Sequence, residues 1–205
     1  RRTFGFMETT NITDRLERQL AFIVEADRLK SVIRQTTLCD SSRRENSAEH
    51  SWHLALMVAV LAEYANEDVN PMHVMRMLIV HDLVEIDAGD TFAYDVAGNV
   101  GRVEREQRAA DRIFGLLPED QSADLRVLWN EFEAQTTQDA RFAAAIDRME
   151  PLLSNHHSGG GSWRAHRVTR EQVLERMRPI ETAAPGLWPA VVDIVGRNVA
   201  SGAIS

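Results

Sequence analysis

Apolar positions recur every three or four residues along most of the chain, a period that predicts helices. Residues 13–34 read as a first helix, with Leu16, Leu20, Ile23 and Leu29 as its apolar stripe. The polar stretch TTLCDSSRREN reads as a loop. Residues 47–66, rich in Ala, Leu, Met and Val, read as a second helix. Asn70-Pro71 has the form of a helix start, Asn as N-cap and Pro at the first helical position. The helix it opens runs to about Ile86. Gly89 breaks the period and leaves 88–101 as a long loop. Further helices are predicted at about 102–117, 121–134 and 138–153. The stretch NHHSGGGSWRAHR reads as another polar loop. Thr169 and Gln172 form a capping box for a helix over 170–178, and a last helix covers 187–200. No alternating β pattern is visible. The expected fold is all-α, one helical bundle without a visible linker and with additional C-terminal helices.

Length and charge narrow the function classes. A chain of 205 residues can bury a substantial core. Hydrophobic residues make up 44% and charged residues 26%, an ordinary globular balance. The net charge of -8 argues against a broad surface for a nucleic-acid polymer or a membrane. It leaves room for a small anion held by a few arginines. The single cysteine, Cys39, excludes an internal disulfide and fits a reducing, cytoplasmic setting. No apolar run reaches the roughly 18 residues of a membrane span, and no signal-peptide pattern opens the chain. Met7 is expected as the natural start, with residues 1–6 a tag or upstream extension and 7–205 the domain.

Three features carry candidate chemistry. In VHDLVEIDAGD, residues 80–90, His81 and Asp82 stand inside the most hydrophobic helical stretch. Val74, Leu78, His81 and Glu85 fall within roughly 60° on a helical wheel. An ionisable pair therefore lies on the stripe that should face the core, where carboxylates need a partner or a metal. A core histidine bonded to a carboxylate satisfies the same pattern. Asp147, in RFAAAIDRMEPLL, again sits in an apolar helix. With Arg148 it could form a surface ion pair, but the alanines before it would let another helix approach closely. His50 and His53 are three apart, so one helix face can present both. Neither HExxH nor HxxEH is present. His50 or His53, His81, Asp82 and Asp147 together supply imidazole and carboxylate ligands of the kind that suit Mn, Fe, Co, Ni or Zn.

In this order, the residues resemble the HD-domain superfamily of metal-dependent phosphohydrolases. The likeness is closer to its 5'-deoxynucleotidases and the HD domain-containing protein 2 group. It rests on LKSVIR (29–34), RRENSAEHS (43–51), HDLVEIDAGD (81–90) and AIDRMEPLL (145–153), spread over about residues 15–155. The bare HD pair is a weak signal; the ordered set with ENSAEHS and HDxxExxxGD is specific.

The resemblance implies a site. His50, His81, Asp82 and Asp147 would hold one divalent metal ion (Mn, Co, Fe, Ni, Zn or Mg), with His53 a neighbour. Glu85 and Asp90 match catalytic acids, their individual roles open. Arg34, at the end of the first helix, matches an arginine that contacts the nucleotide, and a guanidinium fork suits phosphate. Arg43 and Arg44 are further candidates, as are His156, His157 and Trp163 if their glycine-rich loop is a substrate lid. The implied activity is cleavage of a phosphomonoester, a (deoxy)nucleoside 5'-monophosphate, by metal-activated water. No histidine occurs from 83 to 146, which favours one metal over two. Where the nucleotidases carry tryptophan after the arginine, this chain has Gln35-Thr36-Thr37, which leaves the deoxy preference open.

Two other readings stand beside this one. A guanosine tetraphosphate hydrolase of this superfamily usually shows HDxxED, whereas here Ile86 follows Glu85. A nucleotide-binding regulatory protein without turnover would not need both acids. The family often forms homodimers, and the last helix, with Leu187, Trp188, Val191, Val192 and Val195, would supply a contact or pack on its own core. The second is the commoner fate of an apolar helix face.

Overall fold

The computed structural model describes residues 6–95 and 100–205, with side chains from residue 12 onward. The expected extension at 1–6 falls outside the described residues except for Phe6, as does the 96–99 part of the expected loop. The described chain is helical apart from one small hairpin. α1 (Phe6–Ala26) passes into a 3-10 turn, then β1 (Ile33–Thr37) pairs antiparallel with β2 (Arg44–Asn46). Next come α2 (Ser47–Leu61), α3 (Pro71–Val80) and the short α4 (Glu85–Ala88). The remaining helices are α5 (Arg102–Phe114), α6 (Glu119–Ala134), α7 (Gln138–His157), α8 (Gly161–His166), α9 (Arg170–Ala183) and α10 (Trp188–Ala200).

The caps expected from sequence form. Asn70 accepts from the His73 N–H, with Pro71 at the first turn. Thr169 and Gln172 complete their capping box. A second box, Asn46 with Glu49, opens α2. It sets the start of that helix and hence the position of His50 one turn in.

The first helix differs from expectation. It ends at Ala26, and residues 33–37 are a strand, so Arg34 stands on β1 rather than on a helix end. Within IRQTT the β-branched Ile33, Thr36 and Thr37 favour extended backbone, but five residues are too few to show a clean alternation. Of the expected stripe only Leu29 reaches the core. Leu16, Leu20 and Ile23 are exposed, whereas Phe22 and Leu29 are buried. α1 docks through its polar face: Arg15 pairs with Asp120, and Arg18 donates to the Gly115, Leu116 and Leu117 carbonyls. Those carbonyls are left open by the end of α5, and an arginine there satisfies them.

Two apolar clusters form the core. One gathers α2, α3, α7, α8, α9 and α10 around Leu54, Leu78, Ile146 and Trp163. The other joins Phe22 and Leu29 to Val80, Leu83, Phe114 and Trp129. Leu78 belongs to the first cluster, while Val80 and Leu83 belong to the second. His81 and Asp82 therefore sit at the seam. Ala143, Ala144 and Ala145 are fully buried, so α7 lies close to its neighbours as the alanines suggested. Val191 and Val195 of α10 are buried in the first cluster, so the last helix packs on its own core.

The segment 154–167 is not the polar loop expected. α7 continues through His157, three glycines of positive φ make the turn, and α8 follows at once. Trp163 is 2% exposed, within the first cluster. A tryptophan buries more apolar area than most side chains, which anchors this turn to the core.

Candidate metal centre and substrate cleft

Two helices and a turn bring His50, His81 and Asp147 together, with Asp82 beside His81. His50 comes from α2, His81 and Asp82 from the turn after α3, and Asp147 from the middle of α7. Nε2 of His50 lies 3.0 Å from Oδ1 of Asp147, and Nε2 of His81 lies 3.8 Å from the same oxygen. Oδ1 of Asp82 is 2.9 Å from His81 Nε2. Neighbours on a straight helix diverge by about 100°. Here the chain tightens after Val80, with Leu83 and Glu85 bonding three residues back, and His81 and Asp82 reach the same cavity.

Hydrogen bonding fixes which ring nitrogens face the centre. His81 Nδ1 is 2.7 Å from the Leu78 carbonyl oxygen, which can only accept, so Nδ1 carries hydrogen. Nε2 of His81 then faces Asp82 and Asp147, buried and with no hydrogen-bond partner. A buried nitrogen facing two carboxylates is a setting that a bound cation would satisfy. His50 is arranged the same way. Its Nδ1 faces Glu150 at 3.3 Å and Glu45 at 3.5 Å, which turns Nε2 toward Asp147. Backing a metal-binding imidazole with a carbonyl or carboxylate in this manner orients the ligand and raises its basicity. The donor set therefore fits a divalent ion of the imidazole-and-carboxylate type. His50, His81 and Asp147 offer ligand atoms within 4.8 Å of one another. A second such group, Glu45, His50 and Glu150, shares His50 through its other nitrogen.

Arg34 is buried beside this cluster. Its Nη1 donates to Asp82 Oδ2 at 2.9 Å and lies 3.7 Å from Asp90; its Nε is 3.5 Å from Glu45. Burial opposes its charge, but Asp82, Glu85, Asp90 and Asp147 outweigh that and hold the guanidinium firmly protonated. In return, Asp82 stays ionised: burial alone would raise it, but His81 and Arg34 bring it down to about 2. Asp147 is also kept well below the carboxylate range, with His50 overcoming burial. Glu85 goes the other way. Burial and the charge of Asp82 push it well above its ordinary value against the pull of Arg34, while Ser47 Oγ donates to its Oε2 at 2.7 Å. Asp90, just after Gly89 (φ 75°), is raised by burial against Arg34.

Of the other sequence candidates, Arg43 is exposed and paired with Glu49 at 2.6 and 2.8 Å, and Arg44 is exposed. His53 meets Glu150 at 3.4 Å, behind His50 rather than beside Asp147. His156 accepts from Asn198 at 2.8 Å and His157 is exposed, so neither joins the cleft. Trp163 does line the cleft, as part of its buried wall.

A model of the HD domain matches residues 26–188. The chain belongs to the HD domain family. Within that family, it is 50% identical to a "predicted metal-dependent phosphohydrolase" from Magnetospirillum magnetotacticum with a crystal structure. The superposition covers 94% of this chain and 99% of that one, with a TM-score of 0.88. The human protein named 5'-deoxynucleotidase HDDC2 is 32% identical over 111 residues, 54% of this chain and 53% of the human one. The Danio rerio protein of that name is 25% identical over 142 residues, 69% of this chain and 70% of its own length. The match thus spans about half the length of the human relative. Among the described residues, no helix of this HD-domain chain is long and apolar enough to cross a membrane.

Sequence reasoning missed several members of the site. Glu45 and Glu150 back His50, and both had a readable signal: Glu45 lies in ENSAEHS, and Glu150 follows Asp147 by three on α7. Pro151 was also in view; lacking an N–H, it cannot bond the Asp147 carbonyl one turn back. Arg102, Glu106 and Glu133 line the inner cleft, and Arg148 and Arg176 line its outer part. They come from α5, α6, α7 and α9, and no local pattern marks them.

Proposed function

We propose that this chain is a mononuclear, metal-dependent phosphohydrolase that cleaves a phosphomonoester, a (deoxy)nucleoside 5'-monophosphate. The observation that carries the reading is the convergence of His50 Nε2, His81 Nε2 and the Asp147 carboxylate from two helices and a turn, with the Asp82 carboxylate 2.9 Å from His81. These four residues would hold the ion, one of Mn, Co, Fe, Ni, Zn or Mg. When bound, the ion supplies Lewis acidity toward a phosphoryl oxygen. Glu150 and Glu45 hold the His50 ring by Nδ1, and the Leu78 carbonyl holds His81. Ser47 occupies Oε2 of Glu85, which leaves Oε1 to exchange a proton with the attacking water or the departing oxygen. Asp90, placed by Arg34, is the second acid in the cleft.

The relatives named 5'-deoxynucleotidase support the nucleotide as substrate, and the Gln35-Thr36-Thr37 stretch after Arg34 leaves the sugar to experiment. The free, exposed Cys39 supports a cytoplasmic setting. The exposed Leu16, Leu20 and Ile23 of α1 are compatible with a homodimer.

A phosphate-release screen over nucleoside monophosphates and sugar phosphates, with each divalent metal in turn, tests the reading. Metal-dependent release from a nucleoside 5'-monophosphate is expected. Silence across the panel with tight nucleotide binding would instead make the protein a regulatory nucleotide sensor. Turnover confined to guanosine tetraphosphate would select the other hydrolase class.

A further inference from the structure

Two cations line the cleft without an ion-pair contact among the described residues. Arg148 follows Asp147 on α7, and Arg176 lies on α9; both are half-buried. Together they line the cleft that also holds Arg34, Asp90 and Asp147. Arg176 reaches further, into the inner cavity with Glu85. Elsewhere, Arg43, Arg102, Arg112 and Arg126 each make an ion pair. Among the described residues no carboxylate lies within ion-pair distance of Arg148 or Arg176. Arg148 donates only to the Ala144 carbonyl, at 2.7 Å. The two guanidinium groups repel each other, and Asp147 and Glu133 offset this only from beyond ion-pair distance. Glu171 and Glu175 line the open outer end with them, but neither pairs with them.

Like charges held together in a half-buried cleft are unfavourable unless an anion joins them. Arg34 does not supply free positive charge, because Asp82, Asp90 and Glu45 already surround it. Guanidinium forks match the oxygens of a phosphate bidentately. We propose that Arg148 and Arg176 form the clamp for the phosphoryl oxygens of a phosphate monoester dianion. Arg34, by contrast, positions the Asp82 and Asp90 carboxylates. The proposal rests on the phosphohydrolase reading for its substrate, while the anion site itself stands on the two unpaired arginines.

The test is calorimetric binding of inorganic phosphate to the metal-loaded protein, alongside steady-state kinetics on the best nucleoside monophosphate. Arg176→Gln and Arg148→Gln should each weaken phosphate binding and raise KM by about tenfold or more, as loss of a charge-assisted hydrogen bond implies. Metal content should stay at the wild-type level, and kcat should fall less than kcat/KM. Arg176→Lys, which keeps the charge, should recover part of the affinity and guards against a folding defect in the glutamine variant. Wild-type phosphate affinity and KM in both glutamine variants would overturn the clamp, as would no phosphate binding by the wild type. If the wild type hydrolyses nothing yet binds phosphate through Arg176, the clamp stands and the phosphohydrolase reading falls.

Discussion

Nη1 of Arg34 donates to Oδ2 of Asp82 at 2.9 Å, linking the hairpin to the turn that carries the His-Asp pair. The arginine side chain is 12% exposed and the aspartate 11%, so this is a buried ion pair with Glu45 and Asp90 alongside. Removing one partner of such a pair leaves the other charge uncompensated. Arg34→Ala should therefore destabilise the fold by about 3–5 kcal/mol, read from urea denaturation. A loss below about 1 kcal/mol, the range of surface pairs, would show that the cluster is solvated and relaxed.

The ligand assignment predicts linked losses. His81→Ala and Asp82→Ala should each remove both bound metal and hydrolysis, and Asp147→Asn should at least weaken metal binding sharply. Elemental analysis of the dialysed protein, paired with the phosphate-release assay, reads both. Stoichiometric metal with metal-dependent turnover in either alanine variant would remove that residue from the set.

Glu85 should separate metal binding from turnover. Its carboxylate is fixed by Ser47 and is not one of the four converging ligands. Glu85→Gln should keep the metal and lower kcat by about 100-fold or more, the scale of general acid–base catalysis. An unchanged kcat would take Glu85 out of the mechanism.

Metal binding and metal-free stability should respond oppositely to pH. Burial and Arg34 oppose a charge on His50, but the Asp147, Glu150 and Glu45 carboxylates around its ring outweigh both and raise it well above 6.5. A metal must displace that proton, so metal affinity should rise with pH above 6.5. In the metal-free protein the raised histidine stabilises the fold fully below its unfolded value. That contribution is lost as pH rises through the folded one. Glu85, also raised, contributes in the same direction. With chelator, the melting temperature should fall from pH 6.5 upward, and added metal should reverse the trend. A chelated protein that grows more stable over that range would contradict the proton on His50.

Trp163 distinguishes a wall from a lid. At 2% exposure, its truncation to alanine should cost about 3–5 kcal/mol. A mobile lid residue would leave the denaturation midpoint where it was and alter KM alone.

The helices, the Asn70 and Thr169 caps and the ordered set His50, His81, Asp82, Asp147 were legible in the sequence. Periodicity and capping act within a few residues, and the chemistry of a histidine or carboxylate in an apolar stretch is visible wherever it stands. Their convergence was not local. His50 and Asp147 meet across 97 positions, and only packing at the seam between two cores brings them to 3.0 Å. Other features depended wholly on that packing. Arg34 lies on a strand because five residues find a partner in β2. Leu16, Leu20 and Ile23 look like a core stripe, yet α1 docks by Arg15 and Arg18, because the open end of α5 binds arginine there. Trp163 looks like part of a glycine-rich loop, but the core offers it a site. Arg176 carries no sequence signal at all; its role follows from where α9 lies against α7, which tertiary packing alone decides.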